Sequence, residues 1–460
     1  MSDLKSVVDS QGCRYSLVKR IGEGGQGVVY AVQGGRMAVK VLNSSSATDA
    51  KRYERHYHFL RSLDLSGIPI AQPHAVLAPP DIGFVMLLLP DMGAIQRLIS
   101  PPHGVSSLRE WYTESGGLRW RLRVCARSAH ALAMLHYKGL CYGDVSPSNI
   151  FVPNSPAGSG VCLIDADNLR FESTTTTQRI YTPGYGAPEV VTNCGFASTL
   201  SDAYGLAVVA YQTLTLAHPL LGDAVDAGAP EDEEAALSGS RPWVDHPTDR
   251  SNSSTKGINR DVVLSKRLRE ISQRTFVGGL TVPRNRPSAA EWAEVLDRAS
   301  RNCLSCTKCK ASFYRTDKLC PWCGECRPKF VKGSVCVWDP SLGSSNSMGN
   351  FVCGSDTKRS VRDDFVLSVG DQLLIDERLG LGLAQGDIAR GILALEYSGD
   401  KLSFRAIASD VPLEIWTKDK KQTKIKHGST FECLVKEFPM ALHIGDYGKL
   451  HRVLCLEAAQ

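Results

Sequence analysis

The spacing of apolar and polar positions divides the chain into three stretches. Residues 11–90 show short strands broken by glycines, one amphipathic helix in DAKRYERHYHFLRSL and an apolar strand in GFVMLLL. Residues 118–300 are mostly helix-patterned, with loops rich in Gly, Pro and Ser. From about residue 334 apolar and polar positions alternate, as in ILALEYSGDKLSFRAI with its Ser-Gly-Asp turn. The pattern predicts an α+β region followed by an all-β, sandwich-like domain of eight or more strands.

The segment GDAVDAGAPEDEEAALSGS, residues 222–240, differs from its surroundings. It is acidic and poor in large apolar side chains, so it offers little surface for burial. We therefore expect an exposed, mobile insertion.

Length and composition favour a cytoplasmic protein of several domains. The 460 residues are 43% hydrophobic and 22% charged, which suffices for two or three domains. No apolar run approaches the roughly 18 to 20 residues of a spanning helix, and the N-terminus MSDLKSVVDS lacks the basic and apolar regions of a signal peptide. The formal charge of +5 indicates no particular partner. Six cysteines lie between residues 303 and 326, which favours a metal site over a disulfide framework.

The string IGEGGQGVVY contains three glycines spaced as in loops that approach phosphate groups. Gly22, Gly24 and Gly27 fit a strand-turn-strand whose backbone N–H groups can come close to a ligand. This string alone is a weak signal, but MAVKV places Lys40 on an alternating strand 13 residues beyond Gly27. Its ammonium would need a carboxylate partner. The next helix offers Asp49 and Glu54, and we favour Glu54 because it lies in mid-helix.

The string CYGDVSPSNIFV places an acid and an amide five residues apart in a loop. Asp144 can accept the proton of a substrate hydroxyl, and the side-chain oxygen of Asn149 can bind Mg²⁺. The apolar strand in VCLIDADN then delivers Asp165, a hard oxygen ligand of the kind that Mg²⁺ prefers.

These motifs, in this order, resemble those of the eukaryotic-like Ser/Thr protein kinases of bacterial type. The resemblance covers about residues 14–300 and includes TPGYGAPEV, SDAYGLAVV and RNRPSAAEW. It implies that Asp202 holds the catalytic loop and that Arg286 pairs with Glu189. It also implies a bilobal kinase-like domain of residues 1–300, with an N-lobe of about 14–90 and a C-lobe of about 91–300. The implied cofactors are ATP with Mg²⁺ or Mn²⁺; the implied catalytic residues are Asp144, Lys40 and Glu54, the nucleotide-binding residues Gly22, Gly24, Gly27, Val29, Ala38 and Lys40, and the magnesium ligands Asn149 and Asp165.

The chain departs from this family at the catalytic loop and the metal motif. Tyr142 and Gly143 replace the usual His-Arg before the catalytic Asp, and Ser146 replaces a lysine two residues after it. The family's Asp-Phe-Gly has become Asp165-Ala166-Asp167. Asp167 either adds a second carboxylate near the metals or is a solvated loop residue, and we favour the second.

The missing arginine bears on control of the activation segment. Without it, no cation of the catalytic loop stands ready to bind a phosphorylated activation loop. We therefore expect activity not to depend on phosphorylation of Thr174–Thr177. If it does, Arg170 and Arg179 are the nearest candidates to bind the phosphate.

Two other functions remain possible. A small-molecule kinase of the aminoglycoside phosphotransferase type also lacks the lysine that Ser146 replaces, but such enzymes generally lack the Ala-Pro-Glu segment seen here as Ala187, Pro188 and Glu189. Thr182, in YTPGY, lies where the family positions the residue that receives the hydroxyl-bearing side chain of the substrate, which favours Ser/Thr acceptors. A pseudokinase that only binds nucleotide or partners is disfavoured because the motif residues are all present.

The string NCLSCTKCKASFYRTDKLCPWCGECRPK predicts a structural zinc site in residues 301–330. Two Cys-x-x-Cys pairs supply four thiolates, Cys306, Cys309, Cys320 and Cys323, which suit tetrahedral Zn²⁺. Phe313 and the CPWCG form resemble a zinc ribbon. Cys303 and Cys326 are surplus: they are either free thiols, or Cys303 belongs to a rival, shifted frame in which it pairs with Cys306. Because a closed four-cysteine site has no open position, we expect a role in folding or partner docking, and nucleic-acid binding is disfavoured.

The β-rich stretch has a weak resemblance to forkhead-associated domains. GDIARGILALEYSGDKLSF and KIKHGSTFECL carry it, but Ala389 and Ile392 stand where that family has its phosphate-binding Ser and its His. We therefore expect an interaction or regulatory domain and no phosphopeptide binding. Kinases with a zinc ribbon resemble those found beside a phosphatase and a von Willebrand A-type protein, which implies these two as possible partners.

Overall fold

The computed structural model describes most of the chain. The described residues are 6–24, 27–43, 47–158, 160–172, 181–338, 363–382, 390–417 and 422–459, with the side chains of 47–49 excepted. Within them the chain forms two compact units. The first contains Met1–His103, Val124–Gly257 and Arg269–Ala293; the second contains Gly104–Arg123, Ile258–Leu268 and Glu294–Gln460. These units do not follow the expected domain boundaries, which remain a proposal.

An antiparallel sheet and one helix form the N-terminal part of the first unit. The sheet has the strand order β1-β2-β3-β4-β6-β5. Val39 and Val85, on β4 and β6, are fully buried in its apolar core. The bounds are β1 Ser6–Val8, β2 Arg14–Gly24, β3 Gly27–Val32, β4 Met37–Leu42, α1 Ala47–Ser62, β5 Ala75–Val76 and β6 Gly83–Leu87.

Helices are the main regular structure of residues 92–301, as the sequence pattern predicts, with short strands on both sides of the loop 142–149. Helix α5, Thr199–Thr215, is buried over almost its whole length, and Ser198 caps its first turn. The bounds are β7 Met92–Ala94, α2 Leu108–Glu114, α3 Gly117–Tyr137, β8 Leu140–Cys141, β9 Ile150–Pro153, β10 Cys162–Leu163, β11 Arg170–Phe171, α4 Pro188–Val191, α5 Thr199–Thr215, α6 Asp223–Asp226, α7 Pro230–Leu237, α8 Arg260–Val263, α9 Lys266–Gln273, α10 Gly279–Thr281 and α11 Ala289–Arg301.

The acidic segment 222–240 is exposed at most positions, as expected, but it is folded. It forms α6 and α7, and Pro230 starts α7, where its fixed φ suits the first helical turn. The Asp232 side chain accepts a hydrogen bond from the backbone N–H of Ala229 at 3.0 Å. Local capping therefore gives this segment helical structure despite its few large apolar residues.

The C-terminal stretch is strand-rich, as the alternating pattern predicts. Its described strands form a six-stranded sheet in the order β15-β14-β23-β22-β19-β20 and a four-stranded sheet in the order β16-β17-β18-β21. Residues of both sheets, such as Leu454 and Phe404, share one apolar core, as in a β-sandwich. The bounds are β12 Cys303–Ser305, β13 Ser312–Tyr314, β14 Phe330–Trp338, β15 Asp363–Ser368, β16 Gln372–Asp376, α12 Glu377–Leu381, β17 Gly391–Tyr397, β18 Lys401–Ala406, β19 Leu413–Thr417, β20 Gln422–Ile425, β21 Thr430–Leu434, β22 Met440–Ile444 and β23 His451–Ala459.

None of the helices in the described ranges combines the length and the apolar character that crossing a membrane requires.

Candidate active site

The glycine-rich string forms the hairpin of β2 and β3, as the spacing predicts. Gly24 pairs with Gly27 across the hairpin, and residues 25 and 26 lie outside the described part. A Cβ on Gly27 would lie 2.3 Å from the carbonyl oxygen of Val41, so only glycine fits there. Val29 lies opposite Lys40 in the β3–β4 pair. The hairpin therefore places its glycines beside the strand that carries Lys40, while the nucleotide-binding roles of Gly22, Gly24, Gly27, Val29 and Ala38 remain a proposal.

Lys40 is buried, and its ammonium contacts two carboxylates. The Nζ atom contacts Asp165 and lies 2.6 Å from Oδ2 of Asp167. The charge of Asp167 and then that of Asp165 outweigh burial and raise the pKa of Lys40. Lys40 is therefore a fixed positive charge beside these two carboxylates.

The expected partner of Lys40, Glu54, does not hold it in this structure. Tyr57 and Leu60 are fully buried and define the inward face of α1, whereas Glu54 lies off this face and is exposed. The structure thus corrects the predicted Lys40–Glu54 pair, because the phase of the helix turns Glu54 to solvent.

Asp144 lies at the centre of the catalytic loop and accepts several hydrogen bonds. Its Oδ1 atom accepts from the backbone N–H and the hydroxyl of Thr182, both at 2.8 Å. The side-chain amide of Asn149 donates to Oδ2 at 3.1 Å and to the backbone oxygen of Asp144 at 3.0 Å. Burial is the main cause that raises the pKa of Asp144. The carboxylate is thus oriented by neighbours on both sides, as a proton acceptor must be.

Asp202 holds the catalytic loop through hydrogen bonds to its backbone, as the resemblance implies. Its carboxylate, which is 2% exposed, accepts the backbone N–H groups of Tyr142 at 2.6 Å and Gly143 at 2.9 Å. Gly143 has a φ of +87°, a conformation that glycine adopts without strain. The hydroxyl of Tyr142 also contacts the carbonyl oxygen of Ile164, next to Asp165. Tyr142 and Gly143 therefore anchor the loop in place of the usual His-Arg.

Asp165 follows strand β10 and lies beside the loop. Its φ of 59° is left-handed, a strained conformation that is often found at functional sites. The backbone N–H of Ile164 donates to the carbonyl oxygen of Asn149 at 2.9 Å, which brings the two segments together. The donors available here are carboxylate and amide oxygens, which suit Mg²⁺. Asn149 and Asp165 are therefore the residues that would hold the metal.

Asp167 is buried, and the expectation of a solvated loop residue is wrong. Its side chain is 5% exposed and lies against Lys40. Burial raises its pKa to about 6 although Lys40 opposes the change. The sequence signal for this residue is the carboxylate that stands where the family has glycine.

The Ala-Pro-Glu segment is fixed by the predicted ion pair. Both guanidinium Nη atoms of Arg286 lie 2.7 Å from the carboxylate oxygens of Glu189. The Arg286 side chain is fully buried and also donates to the carbonyl oxygen of Gly279 at 2.8 Å. The prediction of this pair is confirmed, and it anchors the segment that follows Thr182.

Two departures from the family are visible in the surroundings of Asp144. Ser146 is fully buried, and its hydroxyl lies 2.9 Å from that of Ser148. Because serine is neutral, it does not supply the positive charge of the lysine that the family has at this position. Arg170, on β11, lies next to Gly143, with its Nη2 atom 3.8 Å from where a Cβ of residue 143 would be. Thr174–Thr177 and Arg179 lie outside the described residues, so their expected behaviour remains a prediction.

The four cysteines of the predicted zinc site converge. Their sulfur atoms all lie within 4.8 Å of one another, and Sγ–Sγ distances of 3.5 Å for Cys306–Cys323 and 3.7 Å for Cys309–Cys320 are near the ~3.8 Å edge of a tetrahedron with Zn–S bonds of about 2.3 Å. Cys303 is buried elsewhere, with its thiol 3.4 Å from the carbonyl oxygen of Ala299. The frame that pairs Cys306 with Cys309 is therefore the one that converges.

The cysteine cluster is packed against other elements of the second unit. The Trp322 ring stacks on Tyr112 of α2 at 5.6 Å, and its N–H donates to the carbonyl oxygen of Ser312 at 3.0 Å. Arg119 of α3 forms a two-pronged ion pair with Asp371, both distances being 2.9 Å. The cluster thus lies among contacts that join α2, α3 and the strand-rich part.

Several bacterial kinases are similar to this chain. The probable serine/threonine-protein kinase pknA2 of Bifidobacterium longum is 28% identical over 44% of the chain and 26% of its own length. The serine/threonine-protein kinase Pkn1 of Myxococcus xanthus is 25% identical over 60% of the chain and 42% of its own length. The serine/threonine-protein kinase PknA of Mycobacterium tuberculosis is 31% identical over 46% of the chain and 48% of its own length. The chain therefore spans less than half the length of each of these relatives.

The family model described as a protein kinase domain matches residues 15–277, which is more than half of the chain. The matched region contains the glycine hairpin, Lys40, the loop of Asp144 and Asn149, and Asp165. The chain belongs to the protein kinase family.

Proposed function

We propose that the chain is a Ser/Thr protein kinase that transfers the γ-phosphoryl group of ATP, with Mg²⁺ or Mn²⁺, to hydroxyl groups of protein substrates. The observation that supports it most is the hydrogen-bonded unit of Asp144, Asn149 and Thr182, which joins the candidate base to the activation segment. The named relatives are serine/threonine kinases, which agrees with this assignment.

Each site residue has a role that follows from its chemistry. Asp144 orients the attacking hydroxyl and accepts its proton. Lys40 contributes positive charge to the phosphates of ATP under the glycine hairpin. A divalent cation would neutralise charge on these phosphates. Asn149 and Asp165 supply the oxygen atoms that would hold it.

The choice between a protein and a small molecule as substrate rests on the activation segment. Glu189 and Arg286 fix the Ala-Pro-Glu segment, which small-molecule kinases generally lack. Thr182, whose hydroxyl donates to Asp144, lies where protein kinases have the residue that receives the hydroxyl-bearing side chain of the substrate. Both features favour a protein substrate over an aminoglycoside-like molecule. The presence of Lys40, Asp144 and the two candidate metal ligands disfavours a pseudokinase.

We also propose that the cysteine cluster binds one structural Zn²⁺, as in a zinc ribbon. Its four thiolates would occupy all positions of the tetrahedron, so the metal has no open position for substrate. Trp322, which lies between Cys320 and Cys323, stacks on Tyr112 of α2, and a metal held by the cluster would stabilise this packing. This surrounding favours a role in folding or docking.

The strand-rich domain is proposed to be an interaction or regulatory module. Ile392 is fully buried in its core, so it cannot take the part of the histidine that forkhead-associated domains carry there, and Ala389 lies outside the described residues. Arg390 is paired with Glu377 and Asp410 at 2.9 Å. Neither feature supports phosphopeptide binding. A von Willebrand A-type protein and a phosphatase remain proposed partners that follow from the resemblance alone.

The function is tested by supplying γ-labelled ATP with three acceptors: the chain itself, a generic basic protein and an aminoglycoside. We expect label on serine or threonine of a protein. Label on the aminoglycoside alone would replace the protein-kinase proposal by the small-molecule one. Binding of ATP with no transfer to any acceptor would favour the pseudokinase.

A further inference from the structure

Among the described side chains, the carboxylates that contact Lys40 do not come from helix α1. This helix carries two acids, Asp49, whose side chain is outside the described part, and Glu54, which is exposed. The ammonium instead lies 2.6 Å from Asp167, which follows the candidate metal ligand Asp165 by two residues. In the described residues, the ion pairs of Lys40 are thus formed with the Asp165-Ala166-Asp167 motif.

Helix α1 nevertheless contacts the same residue through its inward face. The Nε2–H of His56 donates to the backbone carbonyl oxygen of Asp167 at 2.7 Å. Tyr57, which is fully buried, packs on Phe84 at 4.8 Å, and Phe84 lies opposite Lys40 in the β4–β6 pair. Asp167 is therefore held on its backbone by α1 and on its side chain by Lys40.

The two aspartates around Lys40 differ in exposure. The Asp165 side chain is 25% exposed, while that of Asp167 is 5% exposed. Asp165 is a candidate ligand of a divalent cation, and a carboxylate that binds such a cation has less negative charge to offer an ammonium. Asp167 is buried beside Lys40 and therefore supplies a carboxylate dedicated to it.

We propose that Asp167 is the residue that positions Lys40 for ATP, in place of the glutamate that helix α1 would carry in other members of the family. The proposal rests on the proposed kinase function. It makes Asp167 a positioning residue and not a magnesium ligand, and it makes His56 the link by which the position of α1 reaches Lys40.

The test compares Asp167→Asn with the wild-type full-length chain. Loss of the charge should lower kcat/KM for ATP by about 10- to 100-fold, because removing a group that orients a phosphate-binding lysine weakens transition-state binding. The Mg²⁺ concentration for half-maximal activity should change less than about twofold, because the substitution leaves the candidate metal ligands Asn149 and Asp165 unchanged. Asp64→Asn is the matched control, because it removes an Asp–Lys pair in which the Asp64 side chain is 75% exposed.

A double-mutant cycle with Lys40→Met separates positioning from general structural damage. If Asp167 acts through Lys40, the double variant should be no worse than Lys40→Met alone, because the two changes remove the same interaction. Additive losses would overturn the proposal. A large shift in the Mg²⁺ requirement of Asp167→Asn would also overturn it. So would a loss of activity in Glu54→Gln, the variant of the rival partner, with no loss in Asp167→Asn. Should Asp167→Asn fail to fold, Asp167→Glu, which keeps the charge, is expected to retain more activity than Asp167→Ala.

The same variants also separate this proposal from the kinase function. Affinity for Mg-ATP, measured by calorimetry, should fall in Asp167→Asn whether or not transfer is observed. If the wild-type chain binds ATP but labels no acceptor, the kinase proposal fails while the binding comparison still decides the role of Asp167. Unchanged ATP affinity and unchanged transfer in Asp167→Asn would refute the proposed role of Asp167.

Discussion

Lys40, Asp202 and Arg286 are buried charged side chains, and each contacts groups from distant parts of the chain. Lys40 has Asp167, Asp202 has two backbone N–H groups, and Arg286 has Glu189. Burying a charge costs free energy unless the charge is paired or hydrogen-bonded. Removing one partner therefore leaves the other as an unpaired buried charge, which destabilises the fold. These contacts therefore fix the geometry of the site and also make it sensitive to single substitutions.

Arg286→Ala should strongly lower the stability of the first compact unit, which contains both Arg286 and Glu189. The substitution leaves the carboxylate of Glu189, which is 19% exposed, without its two-pronged partner. Breaking a buried ion pair costs about 3–5 kcal/mol, and denaturant unfolding followed by tryptophan fluorescence measures the loss. Arg274→Ala is the control, because its pair with Glu291 is 47% and 27% exposed and such pairs contribute about 0–1 kcal/mol. Equal losses in the two variants would contradict the role given to Arg286.

Helix α1 shows how an element can be predicted while its contacts are not. The apolar pattern of DAKRYERHYHFLRSL predicts the helix, and the structure has it at Ala47–Ser62. The pattern does not reveal which acid faces Lys40, because a partner from a distant loop depends on tertiary packing. Asp167 comes 127 residues after Lys40, and only the departure from Asp-Phe-Gly marks it.

The cysteine cluster should couple metal binding to folding. Protein purified without added metal should carry about one zinc per chain, because four converging thiolates bind Zn²⁺ tightly and bring folding energy. Cys306→Ser or Cys320→Ser should lose the metal and lower the stability of the second unit. Zinc content by mass spectrometry measures the first effect.

Cys326→Ser is the matched control for the zinc prediction. Cys326 is exposed and stands outside the converging set, so this variant should keep its zinc. Full zinc in both Cys306→Ser and Cys320→Ser would contradict the proposed ligands.

The threonine run of the activation segment should have little effect on activity. Gly143 offers no cation to a phosphate, so replacing Thr174–Thr177 by alanine should change the rate towards a fixed substrate by less than about threefold, or about 0.7 kcal/mol. Steady-state assays of the quadruple variant and of phosphatase-treated protein measure this. Loss of activity in either would indicate another cation that binds the phosphate, with Arg170, beside Gly143, the first to test.

For the chain as a whole, the sequence predicts the local motifs better than it predicts the boundaries of the compact units. The motifs predict the kinase family and the spacing of the cysteines predicts the converging set, because each motif and each Cys-x-x-Cys pair consists of residues close in sequence. The division into units could not be predicted in this way. Residues 104–123 and 258–268 group with the C-terminal part through contacts, such as Arg119 with Asp371, between residues far apart in the chain.

The proposed kinase activity is tested most directly by Asp144→Asn in the full-length chain, with phosphoryl transfer and Mg-ATP affinity measured side by side. The substitution removes the proton acceptor while leaving Lys40, Asn149 and Asp165 in place. We predict nearly unchanged Mg-ATP affinity and a transfer rate lower by about 10²- to 10⁴-fold, as expected for loss of a general base. A variant that transfers phosphate as fast as the wild type would contradict the proposed mechanism.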